Sequence, residues 1–153
     1  MAIRLSDVNS ISPQVLATAS LGVDTAGEGF TEITDHVRRF LDRCEAGEGI
    51  LFLYLRHTSA SLLVQENADP DVRTDLITAL RRLAPENAGW VHDTEGPDDM
   101  PAHVRAMLTG VAFHVPVAGG ALSLGTWQGI YLIEHRRQPH RREVILQFVG
   151  RGR

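Results

Sequence analysis

The sequence predicts an α+β fold: one compact domain with a mixed or antiparallel β-sheet core packed with about three helices. Three observations carry this expectation. Apolar residues recur at helical spacing in separate windows, β-prone apolar runs stand between those windows, and short turns join many of the runs. A doubly wound parallel sheet fits the pattern less well, because strands and helices do not alternate strictly. A length of 153 residues suits one domain, and a hydrophobic content of 43% suffices for a core. No internal repeat or low-complexity segment interrupts the chain.

Residues 1–12 read as a polar lead-in and 13–153 as the domain. Gln14–Leu21 is β-prone, and a Gly-rich turn follows at Gly22–Gly29. Thr31 or Thr34 is placed to cap a helix over about 33–46. Ile33, Val37, Phe40, Leu41 and Cys44 share one face of it, and Gly47 and Gly49 are placed to end it. Ile50–Leu55 is an almost continuous apolar run, as expected of a central strand buried on both faces. Ser61–Gln65 reads as the next strand. Asp69-Pro70 opens a second helix, because aspartate can cap and proline loses nothing in a first turn. Val72, Leu76, Ile77, Leu80 and Leu83 form its apolar face, and Pro85 closes it. An acidic segment leads into a short helix over about 99–109. Val111–Val117 is a strand, and Gly119-Gly120 is a turn in hairpin style. Ile130–His135 and Glu143–Val149 are further strands, joined by a basic loop.

Composition removes several classes of function. The net charge of −4 offers no global attraction for nucleic acid. All fifteen basic residues are arginine, so Schiff-base, nucleophilic and Walker-type lysines are excluded. The single cysteine, Cys44, allows no intrachain disulfide and reads as core packing, which fits a reducing, cytoplasmic setting. No apolar run approaches membrane-spanning length, so no membrane partner is expected.

The segment Trp90–His103 holds two histidines and four carboxylates and no arginine. Crowded carboxylates repel, so water, a distant arginine or a cation must compensate. Neutral imidazole and carboxylate together are good ligands for divalent metals. His92 and His103 stand eleven residues apart, unlike the paired histidines of HExxH. They meet only if a turn at Gly96-Pro97 folds the loop onto the helix, and Asp98 or Asp99 can alternatively serve as a helix cap. His57 sits where an apolar strand ends, a place from which a scaffold can present a side chain to a cleft. Helix capping accounts for Asp69 but leaves Glu66 free to act as ligand or general base. Arg136, Arg137, Arg141 and Arg142 form either a solvated turn or an anion clamp. Gly125-Thr-Trp-Gln-Gly129 suggests a close backbone approach or a pocket wall. His36 and His140 read as surface residues, and His114, in an apolar strand, as a core histidine.

Five motifs together resemble the YjbQ-like proteins, also called the secondary thiamine-phosphate synthase family. They are His57-Thr-Ser-Ala-Ser-Leu62, Glu66-Asn67-x-Asp69-Pro70, His92-Asp93-x-Glu95-Gly96-x-Asp98-Asp99-Met100-Pro101-x-His103, Gly125-Thr-Trp-Gln-Gly129 and Glu134-His135-Arg136. They occur in order and span about residues 14–150. The resemblance implies a homotrimer with pockets near subunit boundaries. It also implies a link to joining a pyrimidine pyrophosphate to a thiazole phosphate, with release of pyrophosphate. Many members carry Phe-Asp after the glutamate matching Glu134, whereas His135-Arg136 stands here.

The expected function is a metal-assisted enzyme on a small phosphorylated substrate. His57, His92 and His103 are the expected ligands of a divalent metal, Zn or Mg. Glu66, Asp69 and Asp99 are the expected acid/base groups, and Asn67, Trp127, Gln128, Glu134, Arg136 and Arg142 the expected substrate contacts. The rival expectations are a non-catalytic trimeric metabolite binder and a metal-dependent hydrolase. The missing HExxH and PCxxC motifs count against the common forms of the last.

Overall fold

In the computed structural model, which describes residues 2–153, two antiparallel sheets stack and helices cover one of them. Met1, the first residue of the expected lead-in, lies outside the described residues, and residues 2–14 form no helix or strand. The elements run β1 (Val15–Asp24), β2 (Gly29–Glu32), α1 (Thr34–Arg43), β3 (Ala46–Leu55), β4 (Ala60–Glu66), α2 (Pro70–Leu83) and α3 (Asp99–Thr109). Then come β5 (Ala112–Ala118), β6 (Ala121–Leu122), β7 (Gln128–Glu134) and β8 (Arg141–Gly152). The larger sheet has the order β1-β8-β3-β5-β6 and the smaller β2-β7-β4. Every pairing is antiparallel, so the fold is α+β without a parallel component.

The core lies between the inner faces of the two sheets and α1. Leu51, Leu53 and Leu55 alternate inward along β3, and Val144, Leu146 and Phe148 do so along β8. Ile130 and Leu132 meet them from β7, and Val37, Phe40 and Leu41 from α1. Fully burying one such side chain contributes about 1.5–3 kcal/mol. β7 is buried from Gly129 to Glu134: it is the middle strand of its sheet, α1 packs against it, α3 packs on the neighbouring β4, and Arg73 of α2 reaches the Tyr131 hydroxyl.

Several local expectations change. β3 is central, but only one of its faces is buried. Ile50, Phe52 and Tyr54 point outward and are 41%, 42% and 54% exposed. His114 lies on that same outer face, its ring 6.0 Å from Phe52, and not in the core. Neither Thr31 nor Thr34 caps α1, whose N-cap is Ile33. The Thr34 hydroxyl instead donates to Glu32 (2.9 Å) and accepts the Ile130 N–H (2.9 Å), pinning the helix start to β7. Gly47 and Gly49 do not end α1. They belong to β3, where Gly49 faces Gly150 so closely that an added Cβ would lie 2.3 Å from the Val149 carbonyl. The Gly22–Gly29 turn is shorter than expected, since β1 runs on to Asp24 and β2 begins at Gly29. The second helix follows its punctuation: Asp69 accepts the Asp71 N–H at 2.9 Å and Pro70 is the first helical residue.

Candidate metal centre

Three side chains from the acidic segment converge. Gly96 turns the loop back in a left-handed conformation (φ 104°) that disfavours any side chain, and α3 starts three residues later. Asp99 and His103 are four apart on α3 and so share one face of it. The returning loop brings His92 onto that face, 5.8 Å from the His103 ring. His92 Nε2 lies 2.8 Å and His103 Nε2 3.2 Å from the same oxygen, Asp99 Oδ2. One ligand atom from each of His92, Asp99 and His103 lies within 4.8 Å of the other two.

The hydrogen bonds define what this cluster can hold. His103 Nδ1 is 2.9 Å from the Thr58 carbonyl, which can only accept, so Nδ1 carries a proton. The neutral ring then presents a bare lone pair at Nε2 toward the Asp99 carboxylate. Two acceptors at 3.2 Å are satisfied only by a second proton on His103 or by a cation between them. Carbonyl-anchored imidazole is also how proteins orient histidine ligands toward metals. Asp99 itself is 2% exposed at the side chain. Burial alone would raise its carboxyl pKa, but the His92 hydrogen bond, Arg136 and His103 outweigh that and hold it below the ordinary carboxylate value.

Arg136 supplies the distant counter-charge. Its guanidinium pairs with Asp99 Oδ1, donates to Asp98 (3.1 Å) and reaches the Glu95 carbonyl (2.8 Å). It therefore closes directly on the acidic segment, leaving no gap in which a substrate bridges the two. Asp93 and Glu95 stay exposed to water.

The other expected site residues divide into three groups. His57 is outside the cluster, because its Nε2 accepts the Glu143 backbone N–H at 2.8 Å. Burial, reinforced by Arg142, lowers its pKa, so the neutral ring keeps only an Nδ1–H to offer. It lines an open cleft of about 690 Å³ with Arg56, Thr58, Met107 and His103. Arg56 carried no sequence signal beyond being a lone arginine after an apolar strand.

Glu134 and Arg142 form a second group, a buried pair and not a phosphate clamp. Arg142 donates to both Glu134 oxygens (2.6 and 2.7 Å) and to the Ser59 hydroxyl (2.9 Å). Thr25 and the Arg136 N–H complete the glutamate's shell. Burial alone would raise the Glu134 pKa, and the Arg142 fork and these N–H and O–H donors bring it below the usual value.

Glu66, Asn67, Asp69, Trp127 and Gln128 form the third group, at the opposite end of β4. Thr58 and Ala60 stand at one end of that strand and Glu66 at the other, roughly 20 Å apart at 3.3 Å per residue. Glu66 accepts the Ala68 and Asp69 N–H groups, and Asp69 caps α2. Gln128 folds onto the Gly125 N–H at 2.8 Å, closing the Gly125–Gly129 turn, while Trp127 is 63% exposed. The clefts lined by His57 and His103 and by His92 include none of these five residues.

Fold and site together define a small α+β protein with a His/Asp/His cluster at the start of a helix. The chain belongs to the UPF0047 YjbQ-like family, whose model matches residues 19–151. The UPF0047 protein of Synechocystis is 45% identical over 131 residues, covering 85% of this chain and 89% of that one. YjbQ of Salmonella typhimurium is 46% identical over 123 residues, covering 80% and 89%. Among solved structures, a hypothetical protein of Aeropyrum pernix superposes with a TM-score of 0.81 at 31% identity, covering 88% of this chain and 99% of that one. A conserved hypothetical protein of Thermus thermophilus does so with a TM-score of 0.75 at 38% identity, covering 83% and 97%. No helix among the described residues is long and apolar enough to cross a membrane.

Proposed function

We propose that this protein is a cytoplasmic metal-assisted enzyme acting on a small phosphorylated substrate, with His92, Asp99 and His103 holding the divalent cation. One observation carries this reading: a buried carboxylate oxygen faces two imidazole nitrogens, one of which is a lone pair whenever the His103 ring is neutral. Two nitrogens and one oxygen suit Zn²⁺ better than Mg²⁺, which prefers oxygen ligands. Three protein ligands leave a coordination position open, as catalytic zinc sites do. A bound cation would supply charge for a phosphoryl oxygen or a leaving pyrophosphate. Arg56 would hold a substrate oxyanion, since its 3.4 Å pair with Glu143 is exposed and easily exchanged. His57 Nδ1–H would donate to the substrate from the same cleft. Transfer of the pyrimidine group of a pyrimidine pyrophosphate to a thiazole phosphate, with pyrophosphate leaving, is the first reaction to assay.

Homotrimer assembly belongs to the same proposal. The outward Ile50, Phe52 and Tyr54 offer an apolar face, and the cleft beside His103 begins at Tyr54. A neighbouring copy on that face would wall the cleft and could bring its own Glu66, Asn67, Asp69, Trp127 and Gln128 toward it.

Metal analysis of purified protein tests the assignment: about one Zn²⁺ per chain is expected, lost in His92→Ala and His103→Ala. Metal content unchanged by either substitution sinks it. Sedimentation should give a trimer, and Phe52→Glu a smaller species; a monomeric parent protein refutes the assembly. A binding-only protein is the second reading, favoured by the absence of any carboxylate base among the cleft-lining residues. Saturable substrate binding without turnover in zinc-loaded protein would select it.

A further inference from the structure

A second cavity, of about 830 Å³, opens on the other side of Asp98. Ala26–Glu28, the end of α2, the start of α3 and the loop after β7 all contribute to its wall. Arg81 and Arg137 are exposed at its mouth, with side chains 61% and 59% accessible, while Arg105 and His135 are buried within the wall.

The wall has unspent hydrogen-bonding capacity. Arg81 and Arg105 both pair with the single carboxylate of Glu28, so their remaining N–H groups are turned to the cavity without a carboxylate of their own in direct contact. Arg137 pairs with Glu86, and Asp98 shares the Arg136 guanidinium with Asp99. Arg105 Nε and His135 Nδ1 are buried and have no partner, an arrangement rare enough in folded proteins to need an explanation. Their characters are complementary. Arg105 Nε is a donor. Thr109 donates to the Arg105 carbonyl (2.7 Å), so its oxygen accepts from Ser61, whose oxygen accepts from His135 Nε2 at 2.6 Å. His135 is therefore protonated at Nε2, and Nδ1 is a lone pair. Burial, with Arg105 adding to it, brings its pKa down to about 4, so the ring is neutral.

We propose that this cavity binds a small oxyanion that also carries a hydrogen-bond donor, such as a hydroxycarboxylate or a phosphate monoanion. The oxyanion goes to the Arg81/Arg105 pair, and the ligand's O–H or N–H serves the His135 lone pair. The Arg81 and Arg137 guanidiniums are exposed, so they cost little to reorient around it. The site is independent of the histidine cluster and requires no metal.

Calorimetric titration of the EDTA-treated full-length chain with inorganic phosphate, glycerate and propionate tests this. Phosphate or glycerate binds at one site per chain, and propionate, lacking the donor, binds about tenfold more weakly than glycerate. Arg81→Gln and Arg137→Gln each weaken binding about tenfold while melting like the parent protein. His103→Ala leaves binding unchanged. Binding of phosphate alone identifies a phosphoryl ligand, and of glycerate alone a carboxylate. No saturable binding of either at millimolar concentration overturns the proposal. So does binding that ignores both arginine substitutions, or that disappears in His103→Ala.

Discussion

Glu134 and Asp99 are both buried carboxylates that face an arginine, yet they are built to opposite ends. Every acceptor direction of Glu134 is met by a donor: the Arg142 fork, Thr25 and the Arg136 N–H. Asp99 has one oxygen on Arg136, while the other faces two imidazoles, one of which presents a lone pair in its neutral form. A closed network holds the fold together; an acceptor pointed at an acceptor marks where something else belongs. Burial, charge and arginine pairing alone do not distinguish the two.

Breaking the closed network should have the largest effect. Glu134→Gln leaves Arg142 buried and uncompensated, and should cost about 3–5 kcal/mol in urea denaturation. A loss below about 1 kcal/mol would show that the network is not closed. Next comes the histidine beside it. His135 has a folded pKa of about 4 against an ordinary 6.5, so the unfolded chain takes up a proton that the folded chain refuses. Stability is therefore complete above pH 6.5 and declines as the pH falls toward 4, by on the order of 3 kcal/mol. His135→Phe should flatten this slope, measured by denaturant titration across that range.

Smaller effects sharpen the other side. Arg136→Gln loosens Asp99 without removing a ligand, and should weaken Zn²⁺ binding roughly 10–100-fold in a chelator competition. An unchanged affinity would mean that Asp99 is oriented without Arg136. Asp69→Ala should cost only about 1 kcal/mol, the worth of a helix cap, and leave zinc content intact. Loss of zinc in that variant would move Asp69 from the class of Glu134 into the class of Asp99.

Much of the architecture was legible from local patterns. The Asp69-Pro70 start of α2, the Gly119-Gly120 turn and the helix carrying His103 all follow from residues a few positions apart. The Gly96-Pro97 turn marked only a condition under which His92 and His103 could meet; that the loop does fold back, and that Asp99 in place of His57 joins them, is set by tertiary packing. What escaped depends on partners distant in sequence. That Arg142 is consumed by Glu134, and Arg136 by Asp98 and Asp99, follows from tertiary pairing that a basic loop does not announce. The capping threonines failed because Ile130 competes for the Thr34 hydroxyl. β3 read as doubly buried because its outward residues are as apolar as its inward ones. Arg105 carries no signal in the sequence, because only the packing of α3 against the end of α2 and against β4 buries it.

The segment between α2 and α3 contains neither helix nor strand, yet it is tethered at both ends. The Trp90 indole donates to the Pro85 carbonyl at 2.9 Å, and Arg136 grips Glu95, Asp98 and Asp99. Ordering a free loop of this length would cost about 1–2 kcal/mol per residue in conformational entropy. Here that cost falls on folding. An arriving ligand meets His92 already in place, so affinity at this end of the molecule is not reduced by the disorder that an irregular acidic loop would otherwise impose.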